Sequence, residues 1–187
     1  YQQMRKYESA IATLNKIRPS VMAEASLHAT VETALGAAYW EKAQLQKALN
    51  HFEEALTLFE QVNDLSGQAT LLSIVGITFW RKCDWQKALE ILKGSLRQNS
   101  TVDNRFVSLY GAFDRGIATL QNRVQLGRER QDPLKIMQPL FSLCALYWVT
   151  GQAEPFNVCL EESVMLAEQL GKADILQAAK GLKKLAD

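Results

Sequence analysis

The residues best suited to chemistry are sparse in this chain, and their spacing does not assemble a reaction centre. The two histidines, His28 and His51, lie in helical periodicity without a partner at metal-ligand or triad spacing, so both read as surface or rim residues. Glu53-Glu54 and Glu161-Glu162 recur at equivalent places and read as solvated charges, not as an acid and base set against each other. Cys83, Cys144 and Cys159 are odd in number and far apart. They read as small buried residues in a reducing compartment, without a disulfide or metal role. No glycine-rich loop follows a strand, because no strand is predicted. These patterns predict no catalytic residue, no metal and no cofactor, hence no enzyme.

Two other biases point to binding. Trp40, Trp80 and Trp148 each stand four residues after a small residue, Gly36, Gly76 or Cys144, so three of the four tryptophans share one register. A ladder of indoles on one face suits an apolar or amphipathic peptide, while indoles between helices would instead serve as large core fillers. Trp85 stands apart, next to Asp84 where a helix begins. The second bias is arginine: six of the nine fall between Arg97 and Arg130, namely Arg97, Arg105, Arg115, Arg123, Arg128 and Arg130. Forked guanidinium donors fit carboxylate or phosphate, so Arg105, Arg115, Arg123 and Arg128 are candidates for an anion or acidic-partner patch. Asp103, Asp114, Glu129 and Asp132 lie close enough in sequence to neutralise part of it as a solvated helix face.

The elements that would position these residues are helices arranged in a repeat. Leu35-Gly36, Tyr39, Ala48, Phe52 and Ala55 are matched forty positions later by Val75-Gly76, Phe79, Ala88, Leu92 and Ser95. Self-similarity at a fixed period, with apolar residues at three-and-four spacing, predicts stacked helical hairpins. Small residues where helices cross permit close approach, which offsets the cost of about 1 kcal/mol for glycine in a helix. The chain divides into a half repeat over 1–18, repeats over 20–63 and 65–98, a degenerate unit over 102–131, a repeat over 133–170 and a capping helix over 172–187. Arg18-Pro19-Ser20 is expected to end the first helix, with Ser20 capping a long helix from about Val21 to Lys42. Asn99-Ser100-Thr101 is the clearest break, and beyond it the residues to Arg130 fit one long helix or two kinked near Arg115-Gly116. Asp132-Pro133 is a strong helix start, and Gly171 is a left-handed cap candidate. The opening helix matches the second helix of a hairpin that lacks its first, which predicts a piece of a longer protein.

On Gly36, Tyr39 and Ala48, and Gly76, Phe79 and Ala88, the pattern resembles the tetratricopeptide repeat family. Its forty-residue step departs from the family's commonest period of about 34 and is similar to repeats of polarity adaptors and of sensor arms in bacterial signalling regulators. The resemblance implies an all-α, right-handed superhelical array of antiparallel hairpins whose first helices line a concave groove. Carried over, the groove positions are Ala37, Trp40 and Glu41, then Ile77, Trp80 and Arg81, then Ala145, Trp148 and Val149. The positions that clamp a terminal carboxylate in other family members hold Thr33, Ala37, Ser73, Ile77, Phe141 and Ala145, which argues against that ligand. The implied function is a non-enzymatic scaffold receiving a protein or peptide partner, from another chain or from the parent chain itself. The alternative is a ligand- or peptide-sensing arm of a larger signalling or transcription regulator, and self-association through exposed hairpin faces is a third reading.

Length and composition agree with a single domain: 187 residues, 48% of them hydrophobic, can bury a continuous core. A net charge of +1 gives no general attraction to nucleic acid or to an anionic membrane. With no apolar run near the length of a membrane span and no signal segment, a cytoplasmic location is expected.

Overall fold

The computed structural model describes residues 2–95 and 103–187. Among them the chain is all-α, built from α1 (Gln2–Val21), α2 (Ala25–Glu41), α3 (Leu45–Gln61), α4 (Leu65–Arg81), α5 (Trp85–Leu92), α6 (Val107–Glu129), α7 (Pro133–Val149), α8 (Ala153–Gln169) and α9 (Ala173–Ala186), with a short 3-10 turn at Asn104–Phe106 before α6. The expected break at Asn99-Ser100-Thr101 and the side chain of Arg97 lie outside the described residues.

One turn chemistry recurs at six of the helix ends. A left-handed residue closes α2, α3, α4, α6, α7 and α8 at Ala43, Asn63, Cys83, Gln131, Gly151 and Gly171 respectively. The following amide then reaches back five residues: Gln44 N donates to Tyr39 O, Asp64 N to Phe59 O, Asp84 N to Phe79 O, and Lys172 N to Ala167 O. These bonds satisfy carbonyls that a helix end leaves unpaired. The closing residues fall twenty apart within 43–83 and again within 131–171, so the forty-residue period is two helices of equal length plus their turns. Asp64, Asp84 and Asp132 cap α4, α5 and α7 by accepting from Gly67 N, Lys87 N and Lys135 N. Gly171 takes the left-handed role anticipated for it, with φ of +64°.

Within each hairpin, the small residues admit the large ones. A Cβ at Gly36 would overlap the buried Phe52 ring, and one at Gly76 would lie 2.6 Å from Leu92 Cδ2. Gly36→Ala is therefore expected to cost on the order of 1–3 kcal/mol through overpacking against a rigid ring. Gly76→Ala is expected to cost on the same order, because Leu92 meets the added Cβ with its branch carbon Cγ as well as Cδ2 and is fully buried. Urea denaturation of the two variants against the parent chain measures both losses.

Two expectations about the start of the chain are corrected. Helix α1 does not stop before Pro19 but carries it in its last turns to Val21, and Ser20 Oγ donates to Ile17 O at 2.6 Å instead of capping. Helix α2 accordingly begins at Ala25, after Glu24, without a side-chain cap. The segment with two readings is one helix, α6, running unbroken past Arg115 and Gly116.

Packing beyond the hairpins is not strictly sequential. Besides their neighbours in the chain, α6 packs along α2, α7 packs on α4, and α9 returns to α5. Gly181 of α9 sits against Leu89, with no room for a Cβ between them. The solenoid thus turns its α6–α7 hairpin onto the first helices of the two regular repeats.

Candidate functional site

Helices α2, α4 and α7 place the three repeat-register indoles where the hairpins meet. Trp40, Trp80 and Trp148 are 2%, 1% and 6% exposed. The expectation of an open aromatic ladder is corrected on this point: helix packing closes these rings to solvent. Trp80 stands over Phe141 at 4.7 Å between ring centroids, Trp85 joins both rings at 5.1 Å, and Trp80 Nε1 donates to Phe141 O at 2.9 Å. Trp40 is covered by α6, where a Cβ on Gly116 would lie 3.0 Å from its ring. Ala37, Ile77, Ala145 and Val149 are buried as well. Of the residues assigned to a groove, Trp40 and Glu41 thus meet the chain's own α6 and Trp80 meets α7.

At the edge of this contact an open cleft of about 480 Å³ remains, lined by Tyr7, Trp40, Glu41, Arg81, Arg115, Thr119, Arg123 and Ser142 among others. Its one carboxylate is already engaged. Glu41 accepts from Tyr7 Oη at 2.6 Å and from Arg115 through Nε at 2.6 Å and Nη2 at 2.7 Å. Arg81 has its guanidinium 4.3 Å from the Trp40 ring centre, a cation–π contact. Burial, and then the nearby charge of Arg123, push the Arg81 pKa below the ordinary arginine value. Neither Arg81 nor Arg123 forms an ion pair with a carboxylate among the described residues. The buried Trp40 Nε1 has no hydrogen-bond partner among the described residues.

The other candidate arginines are spent internally, which corrects the idea of a four-membered patch. Arg105 chelates Asp103 and also pairs with Asp64, and the Asp103 hydrogen bonds raise its pKa above the usual arginine value. Arg128 grips both oxygens of Glu162, at 2.9 and 2.8 Å. Sequence proximity pointed to Asp103, two residues from Arg105, whereas the partners Asp64, Glu41 and Glu162 lie 34 to 74 residues away and are not legible in helical spacing. Among the described residues, Arg123 alone of the four has no carboxylate partner.

The histidines are also placed differently from expectation. His28 is buried at 6% exposure, and Glu32, one helical turn on, is 0% exposed. Antiparallel pairing of α2 and α3 brings His51 and Glu54 against them. His51 Nδ1 lies 2.7 Å from Glu32 Oε2, and Arg18 from α1 reaches Glu32 Oε1 through Nε at 2.5 Å and Glu54 through Nη2 at 2.8 Å. The signal available in the sequence was His28 to Glu32 at four residues and His51 to Glu54 at three, each a same-face helical spacing. The cysteines divide: Cys144 and Cys159 are buried and burial raises both thiols, Cys159 to about 11, whereas Cys83 is exposed in a left-handed turn. The buried-cysteine expectation is therefore corrected for Cys83.

Residues 27–99 match the model of the tetratricopeptide repeat family. No curated protein matches the chain. Among the described residues no helix is long and apolar enough to cross a membrane.

Proposed function

We propose, from the tetratricopeptide repeats of residues 27–99, that this chain is a non-enzymatic interaction scaffold that takes an acidic segment of a partner protein into the cleft between α2, α4 and α6. Repeats of this family generally mediate protein–protein interaction, through the extended concave surface that stacking creates. The observation that carries the finer reading is the pair Arg81 and Arg123, two guanidiniums in one cleft with no carboxylate assigned to them. A carboxylate entering there relieves their mutual repulsion and gains charge-assisted hydrogen bonds. The Trp40 ring fixes the plane of Arg81, so less side-chain freedom is lost on binding.

Fluorescence anisotropy of an acidic peptide library against a charge-neutral one tests the reading. Binders should come from the acidic set. Arg81→Gln or Arg123→Gln should weaken each by roughly tenfold, the scale of one charged hydrogen bond, with the loss shrinking as salt rises. Equal binding of neutral peptides, or indifference to both substitutions, would remove it.

A second reading, a sensing arm in which the occupant of the inner face changes, is favoured by α6 lying on Trp40 through Gly116. Gly116→Leu should displace α6, which quenching of Trp40 fluorescence by iodide would report. Unchanged quenching would count against an exchangeable α6. A cytoplasmic location fits either reading.

A further inference from the structure

The charged cluster between α1, α2 and α3 lies away from the cleft, and the proposed peptide binding makes no use of it. Its centre is Glu32, a carboxylate with no solvent exposure in a helix pair that otherwise packs on Leu49, Phe52 and Ala55. Burying a charge costs several kcal/mol before partners are counted, so the partners define what the cluster is for. His28 directs Nε2 at two carboxylates, 3.3 Å from Glu32 Oε1 and 3.5 Å from Glu54 Oε1. That nitrogen is closed to solvent and has no hydrogen-bond partner among the described residues. The three ligand atoms all lie within 4.8 Å of one another.

These separations have a chemical meaning. Imidazole nitrogen and carboxylate oxygen bind zinc at about 2.0–2.2 Å, and tetrahedral angles then put neighbouring ligand atoms about 3.3–3.5 Å apart. The imidazole's distances to its two carboxylates match that edge. Glu32 is also oriented as metal-bound carboxylates are, with its second oxygen held by His51 Nδ1 at 2.7 Å. His51 is itself fixed by stacking on Tyr39, with ring centroids 5.2 Å apart and planes 4° from parallel.

The cation now facing these groups is the Arg18 guanidinium, bound to Glu32 Oε1 and to both oxygens of Glu54. One positive charge faces two carboxylates and two imidazoles, whereas a divalent ion would balance the carboxylates fully. Arg18 can leave: its side chain is 34% exposed, and it sits near the end of α1. We infer that His28, Glu32 and Glu54 form a binding site for a divalent transition-metal ion of the zinc type, with His51 orienting Glu32 and the Arg18 guanidinium a displaceable occupant of the same place.

The test is titration of the full chain, carrying Cys83→Ser to remove the one exposed thiol, with Zn²⁺ by calorimetry and Co²⁺ by visible absorption. One saturable equivalent is expected, with Co²⁺ bands of a nitrogen and oxygen site, and Mg²⁺ should not compete. His28→Asn and Glu54→Gln should each weaken binding at least tenfold, and His51→Asn by roughly ten- to a hundredfold through loss of carboxylate orientation. Arg18→Gln should tighten it about tenfold by removing the competing cation. The last result separates a metal site from a purely structural ion network, which has no reason to bind metal better without its arginine. Glu54 is half-exposed, so Glu54→Gln keeps the test valid if His28→Asn does not fold. Absence of saturable binding at micromolar Zn²⁺, binding indifferent to His28→Asn and Glu54→Gln, or no tightening in Arg18→Gln would each overturn the inference.

Discussion

Replacing Trp80 by alanine is expected to destabilise the fold by about 3–5 kcal/mol, the range for deleting a large buried aromatic. The indole is 1% exposed, meets Trp85 and Phe141 at centroid distances of 5.1 and 4.7 Å, and donates Nε1–H to Phe141 O. Its position makes the loss non-local. Trp80 ends α4, Phe141 lies in the middle of α7, and this contact spans 61 residues of sequence, so the ring joins the regular repeats to the last hairpins. For a chain of this size the melting temperature should fall on the order of 10 °C. Trp80→Phe separates the two contributions. It keeps most of the apolar contact but leaves the Phe141 carbonyl short of a donor, a cost nearer 1 kcal/mol. If Trp80→Ala melted within a degree or two of the parent chain, the ring would be a groove residue after all, and α7 would not be held by it.

The contrast between Trp80 and its sequence register shows what could be read in advance. Gly36, Phe52, Gly76 and Leu92 interlock as the forty-residue repeat predicts, because the contacts within a hairpin lie at short sequence distance and follow from helical spacing alone. The aspartate caps Asp84 and Asp132 and the left-handed Gly171 were visible for the same reason. The left-handed turns at Ala43, Asn63, Cys83 and Gln131 were not, since three of these four residue types carry no such preference and the packed hairpin imposes the conformation. What covers the first helices was hidden too. Helix α6 reaches α2 across more than sixty residues, and nothing in the local pattern specifies that Gly116 will lie on Trp40 or that Arg115 will find Glu41. The indoles could be assigned to one face but not to an occupant of that face. The charged cluster is the instructive case. His28, Glu32, His51 and Glu54 each had a same-face partner, but burial of the cluster depends on α1 folding over it, and that contact comes from outside the repeat.

Burial of that cluster sets up the second large effect. In metal-free buffer, Glu32→Gln should cost about 3–5 kcal/mol near neutral pH, the range for breaking a buried ion pair by removing one partner. Glutamine fills the same volume, so the loss is electrostatic: it withdraws the acceptor of His51 Nδ1 and the counter-charge of Arg18 Nε. Burial by itself pushes the Glu32 carboxyl upward, but the His51 hydrogen bond and the Arg18 charge outweigh it and hold the group below its ordinary value. A carboxylate whose pKa is lower folded than unfolded contributes stability above the unfolded value, near 4.3 for glutamate. That contribution falls away as pH drops through the folded value. The parent chain should therefore lose stability below about pH 4, and the gap between it and Glu32→Gln should narrow over the same interval as the parent's carboxyl gains its proton. Exposed Glu53→Gln, one residue from Glu54 on α3, should follow the parent within about 0.5 kcal/mol throughout. Chemical denaturation of the three proteins at pH 7, 5 and 3.5 decides the matter. A Glu32→Gln deficit that stayed constant with pH would assign the loss to packing and leave the buried charge without a role in stability.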